Sequence, residues 1–479
     1  MIAWNAFVEY LLKPATNIKV FVLIILVSAL FVRRKKGLGN FLDSFQEATM
    51  GKALFAILGI AFLLRLGWVL WSPHVPPSPI TEDAYIWRHA NELAAGVGFK
   101  SPLGAYTARR PIGYPFFLSL LIRLFGPEMF IAELFQVGFG VLSVFFLYVL
   151  GKKLGSEFLG ILAAGLYALY PTAIMSTKII MDEHLFIVFW LAGMIFLVSD
   201  YQEPSYFHAF LAGLAVGLSA LFRTYSIITI PVVFLMWGLF RKNIRQALAR
   251  AALMAFLAFL CALPWAIRNY YRLGSPIFYT PLLGVHLYYA NNPTSDIRYP
   301  VNPAPEKGGD EGFLKAKTEH EQDRAGQIAA WKWIRQNPQL FFQKAIGRMC
   351  YMLGFNREGW VVEDNFTTLA PGAQMPSPKL RKKLEKAEQY YYVAIFLLAI
   401  AGTFFYFANG FSTGDPRGAG FIILNVIFYI TVTAIGLNHR KYRFVIEPLF
   451  TLLAAYGLVA MFSLNLTERA KLEKVSIGA

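Results

Sequence analysis

Two adjacent carboxylates and two adjacent guanidinium groups, Glu82-Asp83 and Arg109-Arg110, fall within the stretch Thr81 to Gly126, directly after a long apolar run. Acids and arginines held together at a bilayer surface suit proton transfer and phosphate binding, because a carboxylate accepts a proton and the planar arginine fork grips phosphate oxygens in pairs. Further cations share this setting. Lys178, Arg223, Arg268, Arg272, Arg440, Lys441 and Arg443 also stand near the ends of apolar runs, on what the charge pattern reads as the outer side, with Asp182, Glu183 and Glu447 beside them. Basic residues there oppose the positive-inside bias, so something else should hold them. A charge near the bilayer centre costs ~2.5 to 3.5 kcal/mol on insertion scales, so such groups face the bundle interior or a wet chamber and pair there. A chamber at the outer leaflet lined by arginines and a few carboxylates suits a lipid carrying a phosphate. A plainer reading stays open, in which Asp83 satisfies first-turn N–H groups and the cations sit solvated among headgroups.

The elements around these residues constrain where they point. Glu82-Asp83 open a predicted helix whose apolar side, at Ala84, Trp87, Ala90, Asn91 and Ala94, is weak, while Arg88, His89 and Glu92 make the rest wet. Such a helix is expected to lie on a membrane rather than across it. It should stop at Gly96-Val97-Gly98, and a turn-rich link through Pro102 and Gly104 leads to Arg109-Arg110, with Pro111 and Pro115 framing Gly113. Arg110 is thereby expected to face back toward Asp83.

Composition places the chain in an all-α polytopic membrane class: 56% of its 479 residues are hydrophobic, 16% aromatic and only 15% charged. The net charge of +16 is spread through short loops, without a basic helix or zinc module. Anionic lipid is therefore a better partner than nucleic acid. Cys261 and Cys350 have neither metal-ligand spacing nor an obvious bridge. No small-residue cleavage site follows the first apolar run, so no cleaved signal peptide is expected.

Apolar runs at Ile18 to Val32, Lys52 to Trp71, Phe130 to Leu150, Glu157 to Tyr170, Glu183 to Val198, Phe207 to Phe222, Ser226 to Phe240, Ala247 to Ala266, Tyr392 to Phe407, Ala419 to Leu437 and Phe444 to Leu464 read as spans. That makes roughly eleven, several shorter than the ~20 residues that a core of ~30 Å needs. The basic links Arg33 to Lys36 and Arg241 to Arg250 read as cytoplasmic, as does the tail with Arg469, Lys471 and Lys474. The expected organisation is a membrane segment and basic link (1–51), a transmembrane core (52–266) with a first outer loop (72–112), a large outer loop (267–388), C-terminal spans (389–464) and a cytoplasmic tail (465–479). Gly113 to Phe125 reads as a second surface helix. Within the large loop a Pro/Gly-rich segment, Tyr299 to Gly312, precedes a soluble helix over Phe313 to Asn337 and an amphipathic stretch over Leu340 to Leu353. No internal repeat is evident.

A series of short motifs carries a family resemblance. Leu64-Arg65-Leu66, Asp83-Ala84-Tyr85, Gly96 to Phe99, Arg110-Pro111 with Gly113-Tyr114-Pro115, and Leu124-Phe125-Gly126 resemble the first outer loop of the GT-C glycosyltransferases. Glu183-His184-Leu185-Phe186, Gly217 to Arg223, Leu263 to Asn269, Asn291-Asn292-Pro293, and Arg440-Lys441-Tyr442-Arg443 before Glu447-Pro448 continue it in order. The branch it resembles contains protein O-mannosyltransferases and the lipid A aminoarabinose transferase. One departure is Glu82-Asp83 where the mannosyltransferases have Asp-Glu, which leaves open which acid is catalytic.

The resemblance implies a GT-C-like bundle with juxtamembrane helices on the outer surface. It implies an inverting enzyme that hands a sugar from a polyprenyl-phosphate carrier to a glycan, lipid or protein acceptor on the extracytoplasmic side of the plasma (inner) membrane. Asp83 matches the first-loop acid and is the expected base, with Glu82 the alternative; Glu183 matches an acid expected to orient an arginine or a sugar hydroxyl. Arg110 is expected on the carrier phosphate, with Arg109, Arg223, Arg268, Arg440 and Arg443 as further candidates. Tyr85 and Tyr114, with Tyr106, Tyr270, Tyr288 and Tyr289, are candidates for stacking on sugars or for an interfacial belt. No cofactor is expected. Glu82, Asp83, Asp182 and Glu183 could ligate Mg²⁺ or Mn²⁺, as in the related oligosaccharyltransferases, but arginine suffices for one phosphate and no metal site is assigned. The rivals are a ligase or oligosaccharide transferase using a lipid diphosphate, and a transporter or flippase, which should show repeats and paired broken spans.

Overall fold

The computed structural model describes residues 47–72, 81–296, 309–354, 360–367, 376–409, 418–436 and 439–461. Among them regular structure is helical, apart from one antiparallel bridge between Lys100 and Tyr106. Five helices are long and apolar enough to cross a bilayer, and a sixth crossing results if one bent pair is counted as a span. Length and composition thus fall short of about eleven crossings, and the first run, Ile18 to Val32, lies outside the described residues. The chain is a multi-pass, all-α membrane protein.

Helix α1 (Glu47–Trp71) is followed by α2 (Glu82–Ala94), α3 (Gly113–Phe125), α4 (Met129–Leu154) and α5 (Glu157–Ala168). The run predicted as a span over Glu157 to Tyr170 is α5, which stops before Pro171 and meets Pro171–Lys178 at 61°. Proline cannot donate the next helical hydrogen bond, and free carbonyls at membrane depth need a partner. Arg65, fully buried in α1, supplies one: it donates to the carbonyls of Tyr167 at 3.3 Å and Ala168 at 3.2 Å.

The centre of the bundle is α6 (Glu183–Gln202), buried along most of its length and flanked by α4 and by α7 (Tyr206–Ala220). The predicted span Ser226 to Phe240 is a composite of a 3-10 turn (Thr224–Ile228), an α segment (Thr229–Leu235) and a π turn (Met236–Phe240). Helix α8 (Ile244–Leu273) runs seven residues past the expected span end at Ala266, so the large loop expected from residue 267 begins inside a helix.

In the loop, α9 (Leu283–Ala290) packs on α10 (Glu319–Gln336) around Val285, Tyr288, Phe313, Ala330 and Trp333. The crossing is tight: a Cβ on Gly284 would lie 1.8 Å from the Asp323 carbonyl oxygen. The predicted helix Phe313 to Asn337 is interrupted, since Thr318 and Glu321 form a capping box that starts a new helix there. Helices α11 (Pro338–Leu353), α12 (Trp360–Thr367), α13 (Pro378–Asn409), α14 (Gly420–Ile435) and α15 (Glu447–Met461) complete the chain. Buried Arg348 of α11 ties the loop to the bundle by donating to the carbonyls of Ala290 at 2.8 Å and Ala434 at 2.7 Å, at the ends of α9 and α14.

Candidate functional site

A backbone contact sets the site's geometry. The Gly113 N–H at the start of α3 donates to the Leu221 carbonyl just past α7 at 3.0 Å, and a Cβ on Gly113 would lie only 2.8 Å from that oxygen. Only glycine allows this approach, which brings Arg110 and Arg223 to the same place. Arg110 Nη1 donates to Glu82 Oε1 at 2.8 Å and Arg223 Nη2 to the same oxygen at 3.2 Å. Lys441 Nζ donates to Glu82 Oε2 at 2.9 Å. Arg223 also reaches Asp182 Oδ1 through Nε at 2.8 Å and Glu183 Oε1 through the same Nη2 at 2.9 Å. Lys441 Nζ stands 3.7 Å from Glu183. Three cations and three carboxylates from distant segments thus form one network, seated where α6 begins.

Asp83 borders this network without joining it. Its Oδ1 accepts from the Ala84 N–H at 3.0 Å, and among the described residues it forms no ion pair. Burial pushes its carboxyl up, against hydrogen bonds from Thr81 and Ala84 and the charge of Lys441. Glu82 behaves oppositely. Burial alone would raise it, but Lys441, Arg223 and Arg110 together hold it well below the usual carboxylate range. One acid is a committed anion; its neighbour is the better proton acceptor.

Other expectations need correction. Arg110 faces Glu82 rather than Asp83. His89 is not on a wet face: α2 buries Ile86, His89 and Ala90, and His89 stacks on Phe99 at 4.0 Å, so burial lowers its pKa to about 4. Arg109 turns away to Glu319, 3.3 Å from Nε, and to Gln322, fastening the first loop to α10. Arg268 clamps that loop by donating to the Phe99 and Thr107 carbonyls, each at 2.9 Å. Arg443 is buried against Glu447, 3.1 Å from Nε, and over the Tyr392 ring. The Arg440 side chain lies outside the described residues. Tyr114 is fully buried with its hydroxyl donating to Gln136 at 2.7 Å, so it has no face for a sugar. Tyr85 lies beneath Arg88 and Arg110. Tyr288 and Tyr289 pack on Phe313. Tyr106 sits among Lys100, Arg268 and Arg272. Asp182 and Lys441 join the network although neither is among the residues expected on the carrier phosphate or in proton transfer; their shared position at span ends is the signal in the sequence.

Among the described residues no group of three or more His, Cys, Asp or Glu side chains is placed to hold a metal ion. Glu82, Asp182 and Glu183 converge on Arg223, with Lys441 beside them, and these cations take the space and the negative charge that such an ion would need.

A family model described as dolichyl-phosphate-mannose-protein mannosyltransferase matches residues 109–267. The archaeal oligosaccharyltransferase AglB from Archaeoglobus fulgidus, in complex with an inhibitory peptide and a dolichol-phosphate, shares the fold with a TM-score of 0.54 at 15% identity, covering 90% of this chain and 52% of that one. The Archaeoglobus fulgidus oligosaccharyltransferase in complex with Zn and sulfate gives 0.52 at 14%, covering 89% and 51%. ArnT from Cupriavidus metallidurans in the apo state scores only 0.41 at 13%, covering 87% and 78%, so the fold statement rests on the archaeal enzyme. No curated protein matches the chain. The chain spans about half the length of the oligosaccharyltransferase structures it matches. Its fold is that of the archaeal oligosaccharyltransferase structures it matches. The family model covers about a third of the chain, and the solved structures share its fold.

Proposed function

We propose that the chain is an inverting glycosyltransferase that moves a sugar from a polyprenyl-phosphate carrier to an acceptor on the extracytoplasmic side of the plasma (inner) membrane. The observation that carries this reading is the split between the two neighbouring acids: Glu82 is bound by three cations, while Asp83 borders them with a carboxyl raised by burial. An inverting displacement needs a base on one side of the anomeric carbon and cations on the departing oxygen at the other. Asp83 takes the proton from the acceptor hydroxyl as its oxygen bonds to the anomeric carbon. The bond from that carbon to the phosphate oxygen breaks, and its electron pair leaves with the phosphate, which Arg110, Arg223 and Lys441 stabilise. Glu183 and Asp182 orient Arg223. The family model, which describes dolichyl-phosphate-mannose enzymes, and a neighbour solved with dolichol-phosphate support a lipid-phosphate donor.

Purified protein incubated with labelled polyprenyl-monophosphate sugars tests this. Transfer to an added acceptor fraction is expected; turnover with lipid-diphosphate donors alone would reject the reading in favour of a ligase or oligosaccharide transferase.

A further inference from the structure

Resting on the reading of Arg110, Arg223 and Lys441 as the carrier-phosphate site, we infer that Glu82 is an internal stand-in for that phosphate, holding the anion position until a donor displaces it. Both of its oxygens are engaged in the way a phosphodiester's two non-bridging oxygens would be: Oε1 by Arg110 at 2.8 Å and Arg223 at 3.2 Å, Oε2 by Lys441 at 2.9 Å. Arg223 keeps partners without it, since its Nε also donates to Asp182 and its Nη2 to Glu183. Glu82 is placed to leave. It is the first residue of α2, its side chain is 31% exposed, and rotation about its own bonds carries the carboxylate outward with no backbone change.

Charge makes the exchange selective. With Glu82 seated, Arg110, Arg223 and Lys441 share its one negative charge; with Glu82 out, they lack it. A sugar phosphodiester carries one negative charge and so replaces the Glu82 carboxylate one for one, whereas a diphosphate carries at least two. After transfer the carrier leaves as a monoester, and the returning Glu82 carboxylate competes it off. Glu82 is thus a positioning residue that sets donor specificity and product release, and Asp83 alone touches the acceptor proton.

The test uses full-length protein in detergent with a polyprenyl monophosphate as the binding probe and a labelled polyprenyl-monophosphate sugar for turnover. Glu82→Gln removes the competitor while keeping shape, so probe affinity should rise about tenfold relative to wild type. KM and kcat should fall together, because the product is retained; a merely structural carboxylate would not produce that pairing. Glu82→Asp keeps the charge, shortens its reach and should tighten binding less, which keeps the test open if the Gln variant fails to fold. Wild-type binding with no tightening in either folded variant overturns the stand-in alone. Absence of probe binding in wild type and variants overturns the carrier-phosphate reading and this inference with it.

Discussion

Lys441 and Arg443 stand two residues apart in the short helix Arg440–Val445 and have opposite surroundings. In a helix of three residues per turn, positions two apart project about 120° from one another, so one motif serves two sites. Lys441 reaches Glu82, whose side chain is 31% exposed and shared with Arg110 and Arg223. Arg443 reaches Glu447, which is fully buried, and packs over the Tyr392 ring at 3.9 Å. A cation whose partner can move aside into solvent is available to a ligand. One sealed against a buried carboxylate holds helices together, and removing it strands a charge.

The largest expected effect sharpens the open side of this contrast. Asp83→Asn should cut transfer by about 10²- to 10⁴-fold while probe binding persists, measured as single-turnover rate against binding. Wild-type rates would end its role as base. On the closed side, Arg443→Ala should cost ~3 to 5 kcal/mol of stability, read by thermal or denaturant unfolding, because Glu447 is left buried without its partner. Lys441→Ala should instead keep most stability and weaken polyprenyl phosphate binding about tenfold, since two cations remain in place. Equal stability losses in the two variants would erase the distinction.

The smallest effect is in pH. Because burial raises the Asp83 carboxyl, transfer should fall as pH drops through a midpoint above that of an ordinary aspartate, and Asp83→Asn should lack that limb. The two acids carry opposite stability signs. Asp83, raised in the fold, contributes stability in acid that is lost as pH rises through its folded value, so Asp83→Asn should melt slightly higher at neutral pH. Glu82, depressed by its cations, contributes stability above its unfolded value that is lost as pH falls through its folded one.

Local pattern made the membrane class legible, along with the helix opening at Glu82 and the boundaries Gly113 to Phe125, since each depends on composition, a first-turn acid or a flanking breaker within a few residues. The outer charge set was legible as a group for a similar reason: basic residues at span ends violate a topological bias visible in the sequence. Which members meet was not. Sequence position gives no means of telling that Lys441 crosses to Glu82 while Arg443 turns inward, or that His89 of a polar-looking helix stacks under Phe99.

The sequence by itself determined that charged groups would crowd one end of an apolar bundle, because hydrocarbon expels them along any helix long enough to enter it. Only the tertiary structure decided their partners. The glycine contact between Gly113 and Leu221, the bend at Pro171 and the turn at Arg440–Val445 fix distances between residues hundreds of positions apart, and ion pairing acts over a few ångströms, a scale on which chain order carries no information.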